Sequence, residues 1–148
     1  MAVTTGGVGN VPHGAPAAWN QAAALEAVEG DSGLLVEMAE LFLEDSAGLT
    51  AAIAQAIAHG RASDLHHAAH TLKGSVANFC AERAREAAYH LEVMGRTNDL
   101  RRAQEGFAVL VEEMHRVETE LQQFVQQNSS PQEQAEAEAS HNENSVGR

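Results

Sequence analysis

Residues 100–124 read LRRAQEGFAVLVEEMHRVETELQQF. Within them Leu100, Ala103, Phe107, Leu110, Met114, Val117, Leu121 and Phe124 recur at alternating three- and four-residue steps. That spacing lays them on one stripe of an α-helix starting near Asn98. A stripe this long is a heptad seam, and it needs partner helices to cover it.

The preceding sequence supplies them. A short helix is expected from Asn20, a good N-cap, to a stop before Gly30. A second begins near Asp31 and Ser32 and ends at Gly60, with Leu34, Met38, Leu41, Phe42, Leu49, Ile53 and Ile57 as its apolar positions and Gly48 as a point of bending or division. A third spans about Ala62 to Asn78, with Leu65, Ala69, Leu72, Val76 and Phe79 inward. A fourth spans about Ala81 to Met94, with Ala84, Ala87, Leu91 and Met94 inward, and stops at Gly95. No strand pattern or internal repeat competes. Four long amphipathic helices joined by short connections imply an all-α fold, an antiparallel four-helix bundle with a short additional N-terminal helix near Trp19 closing one end.

The ends have a different composition. Residues 1–16 hold four glycines and two prolines, and residues 128–148 are polar with almost no large apolar side chain. Such segments bury too little surface to offset the entropy of ordering. The expected division is a leader over 1–16, one bundle over 17–127 and a polar tail over 128–148, which suits the single domain that 148 residues imply.

Composition removes several functions. The formal net charge is -12, the wrong sign for neutralising phosphates of nucleic acid or for an anionic membrane surface. One cysteine, Cys80, allows neither an internal disulfide nor a cysteine-based zinc site. No apolar run approaches the roughly 20 residues of a membrane span, and no secretory signal is visible, so a cytoplasmic protein is expected. There is no glycine-rich nucleotide loop, which argues against kinase activity within these residues.

The third helix carries its odd residues on the wrong side for packing. At about 100° per residue, His70 lies about 135° from the inward stripe, Lys73 sits on the flank of the same outer side, and Gly74 points outward. An outward mid-helix glycine costs about 1 kcal/mol relative to alanine. It reads either as drift or as clearance that lets another protein reach the His70 imidazole. Lys73 is the only lysine in the chain. It reads either as a solvated charge or as a fixed cation beside the ring.

The run Ala69-His70-Thr71-Leu72-Lys73-Gly74-Ser75-Val76-Ala77-Asn78-Phe79 closely resembles the signature of histidine-containing phosphotransfer (HPt) domains. Gly30-Asp31, Leu34-Leu35 and Glu40-Leu41-Phe42-Leu43-Glu44 resemble the same family, and the likeness spans about Trp19 to Val125. It implies a helical bundle whose exposed histidine exchanges a phosphoryl group with the aspartate of receiver domains, in a hybrid histidine kinase and in a response regulator. His70 would then be the phospho-acceptor, Lys73 would steady the incoming charge, and Gly74 would leave room for the receiver. Glu92 falls where many members place a polar residue that hydrogen-bonds the histidine ring. No cofactor of its own is implied, since the receiver brings a divalent metal such as Mg. At Cys80 the family usually has glycine, a departure that bears on the turn between the third and fourth helices. An imidazole, with an unperturbed pKa near 6.5, suits the role of nucleophile at neutral pH.

Two rival readings stand beside this one. His66, His67 and His70 are close in sequence, Glu86 and His90 are four apart, and Glu112-x-x-His115 is half of a di-iron bundle motif, so a metal-binding bundle is one rival. A non-phosphorylated adaptor of the same fold is the other. A monomer is expected, because the bundle itself consumes the heptad seam. Arg83 and Arg85 are candidates for a slightly basic docking face.

Overall fold

A computed structural model of the chain describes residues 16–128. The expected leader and tail lie outside them, apart from Pro16 and Asn128. Five helices follow in order: α1 Gln21–Ala27, α2 Ser32–Ala58, α3 Ala62–Ala77, α4 Glu82–Arg96 and α5 Ala103–Asn128. Helix α2 packs on α3 and α5, and α4 packs on the same two. With connections this short, the four long helices form an antiparallel square, and α1 is the short extra helix.

Local sequence explains where each helix begins and ends. The Asn20 side chain accepts a hydrogen bond from Ala23 N, and the Asp31 side chain accepts one from Leu34 N, each satisfying a backbone donor that the first turn leaves open. All four junctions close the same way. Glu29, Gly60, Cys80 and Asn98 take left-handed φ values of 57°, 63°, 52° and 55°. The next residue's N–H then reaches back five positions: Gly30 to Leu25 O, Arg61 to Ala56 O, Ala81 to Val76 O and Asp99 to Met94 O. This is the Schellman closure. Cys80 thus adopts the conformation for which glycine is favoured, and the turn between α3 and α4 is kept rather than displaced.

The core carries most of the expected stripes. Leu65, Ala69, Leu72 and Val76 of α3 and Phe79 in the turn after it are buried, as are Ala84, Ala87 and Leu91 of α4 and Leu110, Met114, Val117, Leu121 and Phe124 of α5. At one end Trp19 meets Phe79 and Phe124 edge-on, with ring centroids 6.1 and 5.1 Å apart. Asn20 N–H bonds to Phe79 O there, at 3.2 Å. The approach to α1 is thereby fixed to the α3 terminus.

Four expectations are corrected. The inward row at the start of α2 is Leu35, Ala39 and Phe42, whereas Leu34 and Leu41 are exposed, Leu41 by 59%. Two apolar rows run side by side there, and the core selects the one with the small Ala39. Helix α2 continues through Gly48 without division. Helix α5 begins at Ala103 rather than near Asn98, because Asn98 is the left-handed closure of α4 and Asp99 is tied to Arg101 at 2.9 Å. Finally, α2 is long and apolar enough to cross a membrane by length and composition. Here Leu35, Ala39, Phe42, Ile53 and Ala56 of that helix are buried in the bundle.

Candidate functional site

Helices α3 and α4 approach most closely where α4 is smallest. A Cβ placed on Gly95 would lie 2.5 Å from His66 N and 2.6 Å from Ala62 O, both backbone atoms of α3. Only a glycine permits this approach. Three residues earlier on the same helix, Glu92 is buried, with its side chain 6% exposed. The close contact therefore aims a carboxylate of α4 at the surface of α3.

Two side chains of α3 meet it. His70 Nδ1 lies 2.9 Å from Glu92 Oε2, and Lys73 Nζ lies 2.7 Å from Glu92 Oε1. The His70 side chain is 64% exposed, and that of Lys73 is 25% exposed. Lys73 Nζ also sits 5.2 Å from the centroid of the Tyr89 ring, on α4, a cation–π arrangement. Gly74 is exposed, and a Cβ added to it would meet nothing within 4 Å. The outward placement of His70 and Gly74 thus follows the helical wheel. Lys73 does not stand free beside the ring: its flank position turns it toward α4 and Glu92.

Burial pushes the Glu92 carboxyl up, but hydrogen bonds from Lys73 and His70, together with their charge, outweigh it and hold it below the usual carboxylate range. Glu92 is therefore ionised at neutral pH and only accepts hydrogen bonds. The shared proton must then reside on His70 Nδ1. In the neutral ring it is then Nε2 that carries the lone pair, on a side chain open to solvent. The arrangement holds one imidazole in a single tautomer with its nucleophilic nitrogen in solvent.

The other residues singled out in the sequence fall elsewhere. His66 is half-buried, with Nδ1 3.4 Å from the Glu92 backbone oxygen. His67 turns Nδ1 to Ser63 O at 2.8 Å. Glu86, His90, Glu112 and His115 are exposed. Among the described residues, no three His, Cys, Asp or Glu side chains are grouped to hold a metal ion. Arg83 lies 3.6 Å from the buried Glu113, and Arg85 pairs with Glu82 at 2.9 Å, so both candidate docking cations already have carboxylate partners.

Sequence reasoning missed two residues. Gly95 reads as a helix stop, yet the helix runs one residue beyond it. Tyr89 reads as nothing in particular, yet it flanks Lys73. A signal for the first was present: Ala84, Ala88 and Gly95 form a row of small residues on α4, and such a row marks a close helix approach.

Comparison with known proteins gives the family and the fold. The family model described as Hpt domain matches residues 37–127, which include all four candidate residues. Among solved structures, the histidine-containing phosphotransfer protein B (HptB) from Pseudomonas aeruginosa PAO1 is similar in fold. It has a TM-score of 0.71 at 22% sequence identity, over 76% of this chain and 98% of that one. No curated protein matches the sequence.

Proposed function

The chain belongs to the Hpt domain family, and on that premise we propose that it is a phosphorelay intermediate with His70 as its phospho-acceptor. The observation that carries the reading is the exposed His70 ring with Nδ1 anchored on Glu92 and Nε2 free. In the proposed step, the Nε2 lone pair attacks the phosphorus of an aspartyl phosphate on a receiver domain. The N–P bond forms as the P–O bond breaks, and the aspartate carboxylate leaves with the electron pair. The Nδ1 proton stays in place, and the cationic ring that results keeps its bond to the Glu92 carboxylate. Reversal of the same step unloads the phosphoryl group onto another receiver.

Lys73 neutralises Glu92 before transfer. Its flexible stem then lets it swing from Glu92 and Tyr89 toward the phosphoryl oxygens as they arrive. Gly74 leaves the turn beyond His70 clear for the receiver. Phosphoryl transfer depends on positioning and charge stabilisation more than on covalent machinery of the acceptor. A presented ring, one cation and open space are therefore sufficient, with the divalent metal contributed by the receiver. The proposed setting is a monomer in the cytoplasm, partnered by receiver domains of a hybrid kinase and a response regulator.

The test is incubation with a phosphorylated receiver domain. Acid-labile, base-stable phosphate should appear on the chain, and His70→Ala should abolish it. Equal labelling of the His70→Ala variant would refute the assignment.

A further inference from the structure

His66 and His70 lie one helical turn apart on α3, and both rings are tied to the same residue of α4. His70 Nδ1 meets the Glu92 carboxylate at 2.9 Å, and His66 Nδ1 meets the Glu92 backbone oxygen at 3.4 Å. Both partners are acceptors, so both rings carry their hydrogen on Nδ1 and leave Nε2 with a lone pair. The rings are stacked, with centroids 6.3 Å apart and planes 23° from parallel. Both rings are anchored to α4 through Nδ1, so Nε2 is the nitrogen each has left for a ligand.

This is how imidazole ligands of metal ions are held: the ring nitrogen remote from the metal donates to a carboxylate or a backbone carbonyl, which fixes tautomer and orientation. Two histidines four residues apart on a helix also have the spacing that shares one divalent ion. His66 is half-buried and serves as the fixed ligand. His70 is exposed, so its ring can tilt about the Nδ1 anchor and close the gap between the two nitrogens.

We propose that His66 and His70 form an open two-histidine site for a divalent cation that favours imidazole, zinc foremost, and that the bound ion blocks phosphoryl acceptance. Imidazole nitrogen selects zinc, copper or nickel over magnesium or calcium. Water completes the coordination, because the described residues bring no third ligand of the usual kind to the pair. The site is therefore one of reversible occupation rather than a structural centre. Blocking follows from electron count: the Nε2 pair of His70 that would bind zinc is the pair that would attack phosphorus. This second half rests on the reading of His70 as acceptor; the site itself does not.

The experiment titrates zinc ion into the full, untagged, metal-free chain, followed by calorimetry and by the ring-proton resonances of the histidines. One ion per chain should shift the His66 and His70 signals together and be released by chelator. His66→Gln should weaken that binding at least about tenfold, since it removes one arm of a chelate, while His67→Gln should not. Glu92→Gln should weaken it about tenfold through loss of the orienting carboxylate. Zinc bound as tightly by His66→Gln, or a titration that leaves the His66 and His70 signals unmoved, overturns the site. Transfer from a phosphorylated receiver is then timed with and without zinc. The slowing in the wild-type chain should largely vanish in His66→Gln; equal slowing in both places the ion on the receiver and overturns the blockade. A metal-free wild-type chain that accepts no phosphate counts against the relay reading and leaves the zinc titration intact.

Discussion

Replacing Gly95 by alanine tests whether helix spacing builds the site. The added Cβ would stand 2.5 Å from His66 N, 2.6 Å from Ala62 O and 2.9 Å from His66 Cα. Ordinary contact begins at 3.4 Å, so α4 must retreat from α3 by about 0.9 Å. The obstacles are backbone atoms, and no rotamer change relieves them. The His70–Glu92 contact, 2.9 Å in the native chain, would then open toward about 3.8 Å, beyond hydrogen-bonding range. Overpacking of this kind, together with loss of a charge-assisted bond, costs about 2–4 kcal/mol. In a domain this small, that lowers Tm by about 10 °C or more. Loss of orientation at the ring should slow phosphoryl acceptance by about tenfold to a hundredfold. Calorimetry reads the first effect, timed transfer from a phosphorylated receiver the second, and nitrogen NMR of the His70 ring the cause, because the Nδ1-protonated tautomer should no longer dominate. Gly48→Ala is the contrast: a Cβ there meets nothing within 4 Å, so it should stabilise by about 1 kcal/mol through helix propensity. A Gly95→Ala protein with native Tm and a native His70 tautomer would refute the argument that this glycine sets the distance between carboxylate and imidazole.

Three further outcomes follow from single residues. The Glu92 carboxyl is held below its ordinary value of 4.5, so its charge contributes stability in full above that pH and loses the contribution as pH falls through the depressed value. The Tm gap between wild type and Glu92→Gln should accordingly be present at neutral pH and shrink in acid; a gap independent of pH would contradict the ion-pair account. Cys80 holds a φ of 52°, and Cys80→Gly should raise Tm by a few degrees, since the left-handed strain of about 1–2 kcal/mol outweighs the entropy that glycine adds to the unfolded chain; a lower Tm would show that the thiol packs more usefully than its backbone is strained. Gly74→Leu enters open space, so it should leave the fold intact and stabilise the helix by about 1 kcal/mol while slowing transfer from the receiver; an undiminished rate would remove the clearance role of Gly74.

The bundle was legible because its signals are periodic. The α3 stripe is buried as its spacing implies, and so is the α5 stripe apart from the half-buried Leu100 and Phe107 at its start. Helix α2 was misread at its start because Leu34 and Leu41 compete with Leu35 and Ala39, and periodicity alone does not say which of two adjacent rows meets the neighbouring helices. The size of Ala39 decides it, and size matters only against a partner. The start of α5 was misplaced because Leu100 continues the heptad arithmetic into a turn whose geometry is set by the left-handed Asn98. At the candidate site, the outward direction of His70 and Gly74 is a property of one helix, and a wheel captures it. The burial of Glu92 and the turning of Lys73 are properties of two helices, and no pattern within either specifies them.

That division explains why the sequence offers Lys73 as a solvated charge or a fixed cation beside the ring, and not as the partner of Glu92. A helical wheel places a side chain by angle from its own axis, and on that measure Lys73 sits toward solvent. The neighbouring helix changes the meaning of the flank. Gly95 draws α4 close, the row of small residues removes obstruction, and the flank of α3 becomes the wall of a narrow contact with Glu92 inside it. A buried carboxylate facing an exposed histidine alone would lack a full counter-charge while that ring is neutral, and an unpaired buried charge is costly. Lys73 supplies the missing charge at 2.7 Å. The lysine thus helps to hold Glu92 ionised, and an ionised Glu92 holds the His70 proton on Nδ1. In this ordering the only lysine of the chain acts on the nucleophile through the carboxylate before any phosphoryl group is present. Its loss should therefore alter the His70 tautomer in the resting protein, an effect that a cation serving only the incoming phosphate would not produce.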